Sequence, residues 1–213
     1  MFLKMDVSFR HPFTCCVAGA TRCGKTEWVK RFVQNCHLMM NICPSKIIWC
    51  YSEFQPSYSE LSVLPNLEFC EGIPDMNKLK TPEPKLVIFD DLMSEFAKNK
   101  KSDLTQLFTR GCHHWNCSAI HIVQNLFFDN LRNARINSHY LVLLRNPSDK
   151  LQVLNLGRQL FPQQQKFFMD SYSDACSVPY SYLLIDMSPE TADEIRLRTN
   201  IFPPEISFAY LPK

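Results

Sequence analysis

Three sets of residues in this sequence have the types and spacing to do chemistry. The first is the run Gly19-Ala20-Thr21-Arg22-Cys23-Gly24-Lys25-Thr26. An apolar stretch, FTCCVA, precedes it and a helical pattern follows. That setting, between a strand and a helix, separates a phosphate loop from an ordinary glycine-containing turn. Glycines let the backbone close around an anion, with consecutive N–H groups pointing inward. The start of the next helix offers free N–H groups and a positive dipole end to the same phosphates. Lys25 would add a point charge on the β- and γ-phosphates of a nucleotide, and Thr26 a hydroxyl ligand for Mg²⁺.

The second set is the acid pair that closes LVIFDD. Asp90, at the end of an apolar strand, would reach the Mg²⁺ shell through water beside Thr26. Asp91 would orient or deprotonate an attacking water. Neighbours on an extended strand point opposite ways, so the two suit different tasks only if the strand ends there. The third is Gln124, which closes SAIHIVQ and could hold the γ-phosphate or the lytic water. Acids at strand ends are often helix caps, and a glutamine there is often a solvent cap. The upstream phosphate loop favours the catalytic reading.

Hydrolysis also needs a cation on the transferring phosphoryl group. Arg110 and Arg135 are the leading candidates, with Arg132 and Arg145 behind them. Arg110 precedes its strand, so it belongs to the amino end and would act across a subunit interface. Lys98, Lys100 and Lys101 form a basic loop suited to gripping DNA phosphates without reading sequence.

These residues need a scaffold. Five core strands are expected at about 13–18, 46–52, 85–91, 118–124 and 139–144. Helices are expected at about 25–36, 103–113 and 131–137. NLEFC (66–70) reads as a short edge strand in a proline-rich excursion, and 75–79 as a helical turn. Further on, helices are expected at 150–160 and 163–172 and a strand at 180–187. A short acidic helix capped by Ser188-Pro189-Glu190 should run to about Arg196, and an edge strand should fall near 206–210. Strands alternating with helices predict an α/β three-layer sandwich with a mostly parallel sheet. Residues 1–213 read as one domain, with a core over about 13–145 and a C-terminal extension over about 146–213. Sixty-five residues separate Lys25 from Asp90, with the strand KIIWCYS between them. That insertion, the second acid and Gln124 describe the water-activating branch of P-loop ATPases, with core order 5-1-4-3-2 and the site at the strands' carboxyl ends.

Composition narrows the classes. The chain has 213 residues, 46% hydrophobic and 21% charged, as in ordinary globular proteins. A net charge of +2 is too mild to imply nucleic-acid binding by itself. No apolar run approaches the roughly 18 residues of a membrane span, and the first residues offer no signal-peptide core. Ten cysteines, several inside apolar runs, favour free thiols in a reducing intracellular compartment. Cys112-His113-His114-Trp115-Asn116-Cys117 has no second matching pair, which argues against zinc. Cys23 could block the phosphate loop if oxidised, or simply be a tolerated small side chain.

GATRCGKT, LVIFDDLM, GCHHWNCSAIHIVQNLF and LRTNIFP together resemble the FtsK-HerA superfamily. Within it they are most similar to the poxvirus-type genome-packaging ATPases of large DNA viruses and of Maverick/Polinton and adintovirus elements. The resemblance spans about 13–203. It implies a P-loop NTPase that uses ATP and Mg²⁺ to drive double-stranded DNA into a capsid. It further implies a homo-oligomeric ring, pentameric or hexameric, and a capsid or portal vertex partner. The expected place is the host-cell nucleus, a viral assembly site or the virion, with no membrane role. Many members carry Gly-Arg-His where this chain has Arg110-Gly111-Cys112-His113, and no nuclease-like segment is present. Two other classes compete: a small P-loop nucleoside or nucleotide kinase, and a nucleotide-switched capsid-assembly protein.

Overall fold

The computed structural model describes residues 8–98, 107–126, 135–147 and 150–212. Nine strands form one sheet: β1 (Thr14–Ala18), β2 (Lys46–Tyr51), β3 (Leu67–Glu71), β4 (Lys85–Asp90), β5 (Cys117–Val123), β6 (Tyr140–Leu144), β7 (Tyr182–Asp186), β8 (Leu197–Thr199) and β9 (Phe208–Ala209). Their order is β3-β2-β4-β5-β1-β6-β7-β8-β9. The expected core order holds, as β6-β1-β5-β4-β2, and NLEFC is the edge strand beside β2. Strands β3 to β6 in that order are parallel, while β7, β8 and β9 are antiparallel to their neighbours.

The central strands are buried on both faces, which is why they read as continuous apolar runs rather than alternating ones. Alternate side chains feed two separate cores. Cys15, Val17, Leu86, Ile88, Ile120 and Ile122 face one side, under Trp28, Val29 and Phe32 of α1 (Lys25–Gln34). Cys16, Ala18, Val87, Phe89, Ala119 and Val123 face the other. That side is covered by Leu107 and Phe108, by Leu156 of the helix Lys150–Leu160, and by Phe168 and Tyr172 of the helix Gln165–Ala175. The result is the three-layer α/β arrangement of a P-loop NTPase.

Several boundaries differ from expectation for local reasons. Helix α1 stops at Gln34, where Asn35 Nδ2 donates to the Arg31 carbonyl at 2.8 Å, and a second short helix, α2 (Cys36–Met39), follows. A helix that was not expected, α3 (Met93–Lys98), follows β4 and ends where the basic stretch begins, because Leu92 and Phe96 are both buried in the core. Before β5 the described chain is π-helical over Leu107–Gly111 and then forms α4 (Cys112–His114). We label Lys150–Leu160 α5, as expected, and Gln165–Ala175 α6, which starts and ends later than expected.

The acidic helix after Glu190 is absent. A single 3₁₀ turn, Asp193–Ile195, stands there, followed by β8. Arg196 makes the turn tight: its Nε donates to Asp193 at 2.6 Å and its Nη1 to the Asp186 and Ser188 carbonyls at 3.0 Å each. The next strand then places Arg198 against Asp186 in a buried ion pair. Strand β7 begins at Tyr182 rather than Tyr180, since Tyr180 has a left-handed backbone with φ of 66°. Among the described residues no helix is long and apolar enough to cross a membrane.

Candidate active site

Strand β1 ends at Ala18 and the chain turns at once into the phosphate loop. Both motif glycines are required. A Cβ at Gly19 would lie 2.6 Å from Cys23 Sγ and 3.0 Å from Leu144 Cβ. Gly24 has φ of 99°, which a side chain would strain, and precedes α1 with no side-chain cap. The first amides of α1 are therefore left to whatever sits in the loop. Arg22 also takes a left-handed conformation, with φ of 62°. Lys25 Nζ lies over the loop and donates to the Gly19 and Ala20 carbonyls at 2.9 and 2.8 Å. Burial lowers the Lys25 pKa, and the nearby Cys23, Asp90 and Asp91 partly offset this. The Cys23 thiol packs on Gly19 and burial pushes its pKa up, so it carries less thiolate than a free cysteine.

Asp90 is the last residue of β4 and shares the face of Leu86 and Ile88. That parity aims it at α1. Thr26 Oγ1 donates to Asp90 Oδ2 at 3.1 Å, and Tyr58 Oη donates to the same oxygen at 2.8 Å. Burial raises the Asp90 pKa, while the two hydroxyl donors pull it back. Tyr58 is 1% exposed, and burial next to Asp90 pushes its own pKa far above the usual phenol range. Asp91 follows with φ of 55° and an exposed side chain. The backbone break is what sends the two acids to different places. Such conformations in non-glycine residues concentrate at functional sites.

One cavity of about 410 Å³ gathers Thr21, Arg22, Gly24, Lys25, Thr26, Asp90, Asp91 and Gln124, along with Glu27, Gln55, Ile122, Val123 and Tyr180. Gly19, Ala20 and Cys23 shape the loop behind it. Gln124 follows β5 directly and is exposed. A second cavity, of about 600 Å³, adjoins the first through Asp91 and Gln124 and is lined by Ser52, Glu53, Glu95 and Asn125. The Thr26 hydroxyl and Asp90 carboxylate are adjacent hard oxygen donors, a pair that suits Mg²⁺ and its retained waters. When bound, the ion would neutralise phosphate charge there.

The cation candidates are not gathered in this way. The Arg135 guanidinium is buried, with Nη1 donating to Gln159 Oε1 at 2.7 Å, and is not among the residues lining either cavity. Arg110 lies on the π-helical turn leading into β5, with its side chain outside the described residues. Arg132 lies outside them entirely, and Arg145 is exposed just after β6. Lys98 ends α3 with its side chain undescribed, and Lys100 and Lys101 lie outside the described residues. Cys112 and Cys117 are buried, and His113's side chain is undescribed.

Sequence reasoning missed Gln55, Tyr58 and Tyr180. Tyr58 stands on the 3₁₀ turn Pro56–Leu61 of the excursion after β2, packed with Tyr51, Phe54 and Phe69. Lys30 of α1 ties that excursion down through Glu60 at 2.8 Å. The aromatic density of the stretch was the available signal.

The fold and the loop define a P-loop NTPase. Similar solved structures include the genome packaging NTPase B204 of Sulfolobus turreted icosahedral virus 2 in complex with sulfate, at 12% identity and a TM-score of 0.60 over 95% of this chain and 97% of that one. B204, the DNA-packaging ATPase of Sulfolobus turreted icosahedral virus, superposes at 13% identity with a TM-score of 0.57 over 95% and 99% of the two chains. The cytoplasmic domain of the Thermomonospora curvata type VII secretion ATPase EccC matches at 13% identity and a TM-score of 0.57, over 84% of this chain and 24% of that one. No protein-family model matches the sequence, and no curated protein sequence does. At these identities the likeness is one of fold.

Proposed function

We propose that this chain is an ATP-hydrolysing motor of the FtsK-HerA type that packages double-stranded viral DNA. The observation that carries the reading is the single cavity joining Lys25, Thr26 and Asp90 to Asp91 and Gln124. The first three residues bind a nucleotide triphosphate with Mg²⁺, and the last two handle water. In this reading Lys25 and the loop amides hold the β- and γ-phosphate oxygens. Asp91 accepts a proton as water attacks the γ-phosphorus. The bond to the bridging oxygen breaks, releasing ADP and orthophosphate, while the Gln124 amide steadies the water or the γ-phosphate. The fold shared with two viral packaging ATPases supports DNA as the cargo. A ring of this chain at a capsid or portal vertex, inside the host cell, is the corresponding assembly. Arg110 or Arg135 would supply the cation, the latter only after leaving Gln159. Lys98, Lys100 and Lys101 would grip DNA phosphates.

Steady-state phosphate release, with and without duplex DNA and over a range of protein concentration, tests this. We expect turnover that rises with DNA and depends cooperatively on concentration. Asp91→Asn should keep nucleotide binding and lose at least about 100-fold in turnover, the scale of removing one key catalytic group. Replacing Lys98, Lys100 and Lys101 with Ala should lower the DNA stimulation and spare basal turnover. Transfer of the phosphoryl group to a nucleoside, with no orthophosphate formed, would instead mark a kinase.

A further inference from the structure

Tyr180 is the sole aromatic among the described residues lining the phosphate-loop cavity. The residue is 69% exposed. Its ring nonetheless rests on the loop: Cδ1 lies 2.8 Å from where a Cβ on Gly24 would stand. Its backbone holds a left-handed φ of 66°, a conformation that costs a β-carbon residue free energy. At this exposure no core packing requires a tyrosine there, and among the described residues no hydrogen bond holds it. Strain kept at the wall of a binding cavity is a mark of function.

The sheet order sets what this ring meets. Asp91 and Gln124 follow β4 and β5, on one side of β1, and Tyr180 precedes β7, on the other. Leu144, at the end of β6, pairs with Tyr182, so Tyr180 stands at the same edge as the phosphate loop. From β5 through β1 and β6 to β7 is three strand spacings, about 14 Å. A nucleotide whose γ-phosphate faces Asp91 and Gln124 crosses the loop with its phosphates and carries its base toward Tyr180.

We propose that Tyr180 is the platform on which the nucleobase stacks, which rests on the nucleotide site proposed above. A ring face attracts any base by its π-surface and reads no base edge. The site therefore binds ATP and GTP with similar affinity, and Tyr180 serves affinity rather than base choice. The left-handed backbone is what turns the ring over Gly24.

Isothermal titration of the whole chain with ATP, GTP and inorganic tripolyphosphate tests this. Tyr180→Gly should weaken ATP and GTP binding by about tenfold each, leave tripolyphosphate binding unchanged, and hold or raise the midpoint of thermal unfolding. Tyr180→Phe should bind ATP like the parent chain. Unchanged ATP affinity in Tyr180→Gly would overturn the proposal. So would an equal loss for tripolyphosphate, which would make Tyr180 a support for the loop alone. A parent chain that preferred one base more than tenfold would overturn the base-indifferent site. A parent chain that binds nucleotide with these differences yet releases no phosphate would leave the platform standing and defeat the motor reading.

Discussion

Strands β1, β4 and β5 run toward the phosphate loop and end there, whereas β7 runs away from it and begins there. The parallel part of the sheet delivers residues that terminate strands: Asp90, Gln124 and the loop itself. The antiparallel part delivers a residue that precedes one, Tyr180, and sends its strand-end acid, Asp186, to the far edge. There Asp186 meets Arg198 in a pair whose side chains are 6% and 2% exposed. At the phosphate-loop edge the parallel half thus sets its strand-end acids at a cavity, whereas the antiparallel half seals its strand-end acid against an arginine. Charges left at a cavity can act on a ligand; charges sealed together mainly hold the antiparallel strands in register.

That contrast can be tested on each side. The largest effect should come from the buried pair. Arg198→Met should cost about 3–5 kcal/mol of unfolding free energy, because it strands the Asp186 carboxylate in the core. Adding Asp186→Leu should recover much of that loss. A cost below about 1 kcal/mol in urea denaturation would mean that packing alone holds the extension.

On the parallel side, His121 of β5 is a buried group without a job in the proposed chemistry. Among the described residues both ring nitrogens lack a hydrogen-bond partner, and the ring sits among Phe89, Phe96 and Phe108. Burial pushes its pKa down to about 3. The unfolded chain takes up that proton from about pH 6.5 downward and the folded chain does not until about pH 3. Stability should therefore fall as pH drops through this window, by about 2 kcal/mol between pH 6.5 and 4.5 from this group. His121→Leu should remove that part of the slope, as denaturation at the two pH values would read. An unaltered slope would mean the ring is already protonated or solvated.

The smallest effect should fall on Tyr58→Phe, which keeps the aromatic packing and removes one of two hydroxyl donors to Asp90. We expect ATP turnover to fall about tenfold, equivalent to about 1.4 kcal/mol. Turnover equal to the parent would reduce Tyr58 to a packing residue and leave Asp90 held by Thr26 alone.

Much of the parallel half is legible in the sequence. Continuous apolar runs announced strands buried on both faces, and the loop signature lies within eight consecutive residues, so its local geometry needs no distant partner. The helix at 150–160 was legible for the same reason, since its apolar period is local. Strand β8 was not. It is three residues long, and its central Arg198 reads as solvent-exposed until Asp186 arrives from another strand to neutralise it. The helix Met93–Lys98 was also hidden, because Leu92 and Phe96 declare a buried face only once the core beneath them exists.

The sequence alone determined the phosphate loop, the acid pair and the five core strands, because each rests on contacts between near neighbours or on uninterrupted apolar patterning; the order of those strands followed from the combination of P-loop ATPase motifs, since their pairings join distant residues. Only the tertiary structure decided that Tyr58 donates to Asp90 and that Tyr180 overhangs Gly24. Those residues lie 32 and 156 positions from the groups they meet, and no local pattern encodes which sheet edge a distant loop will reach.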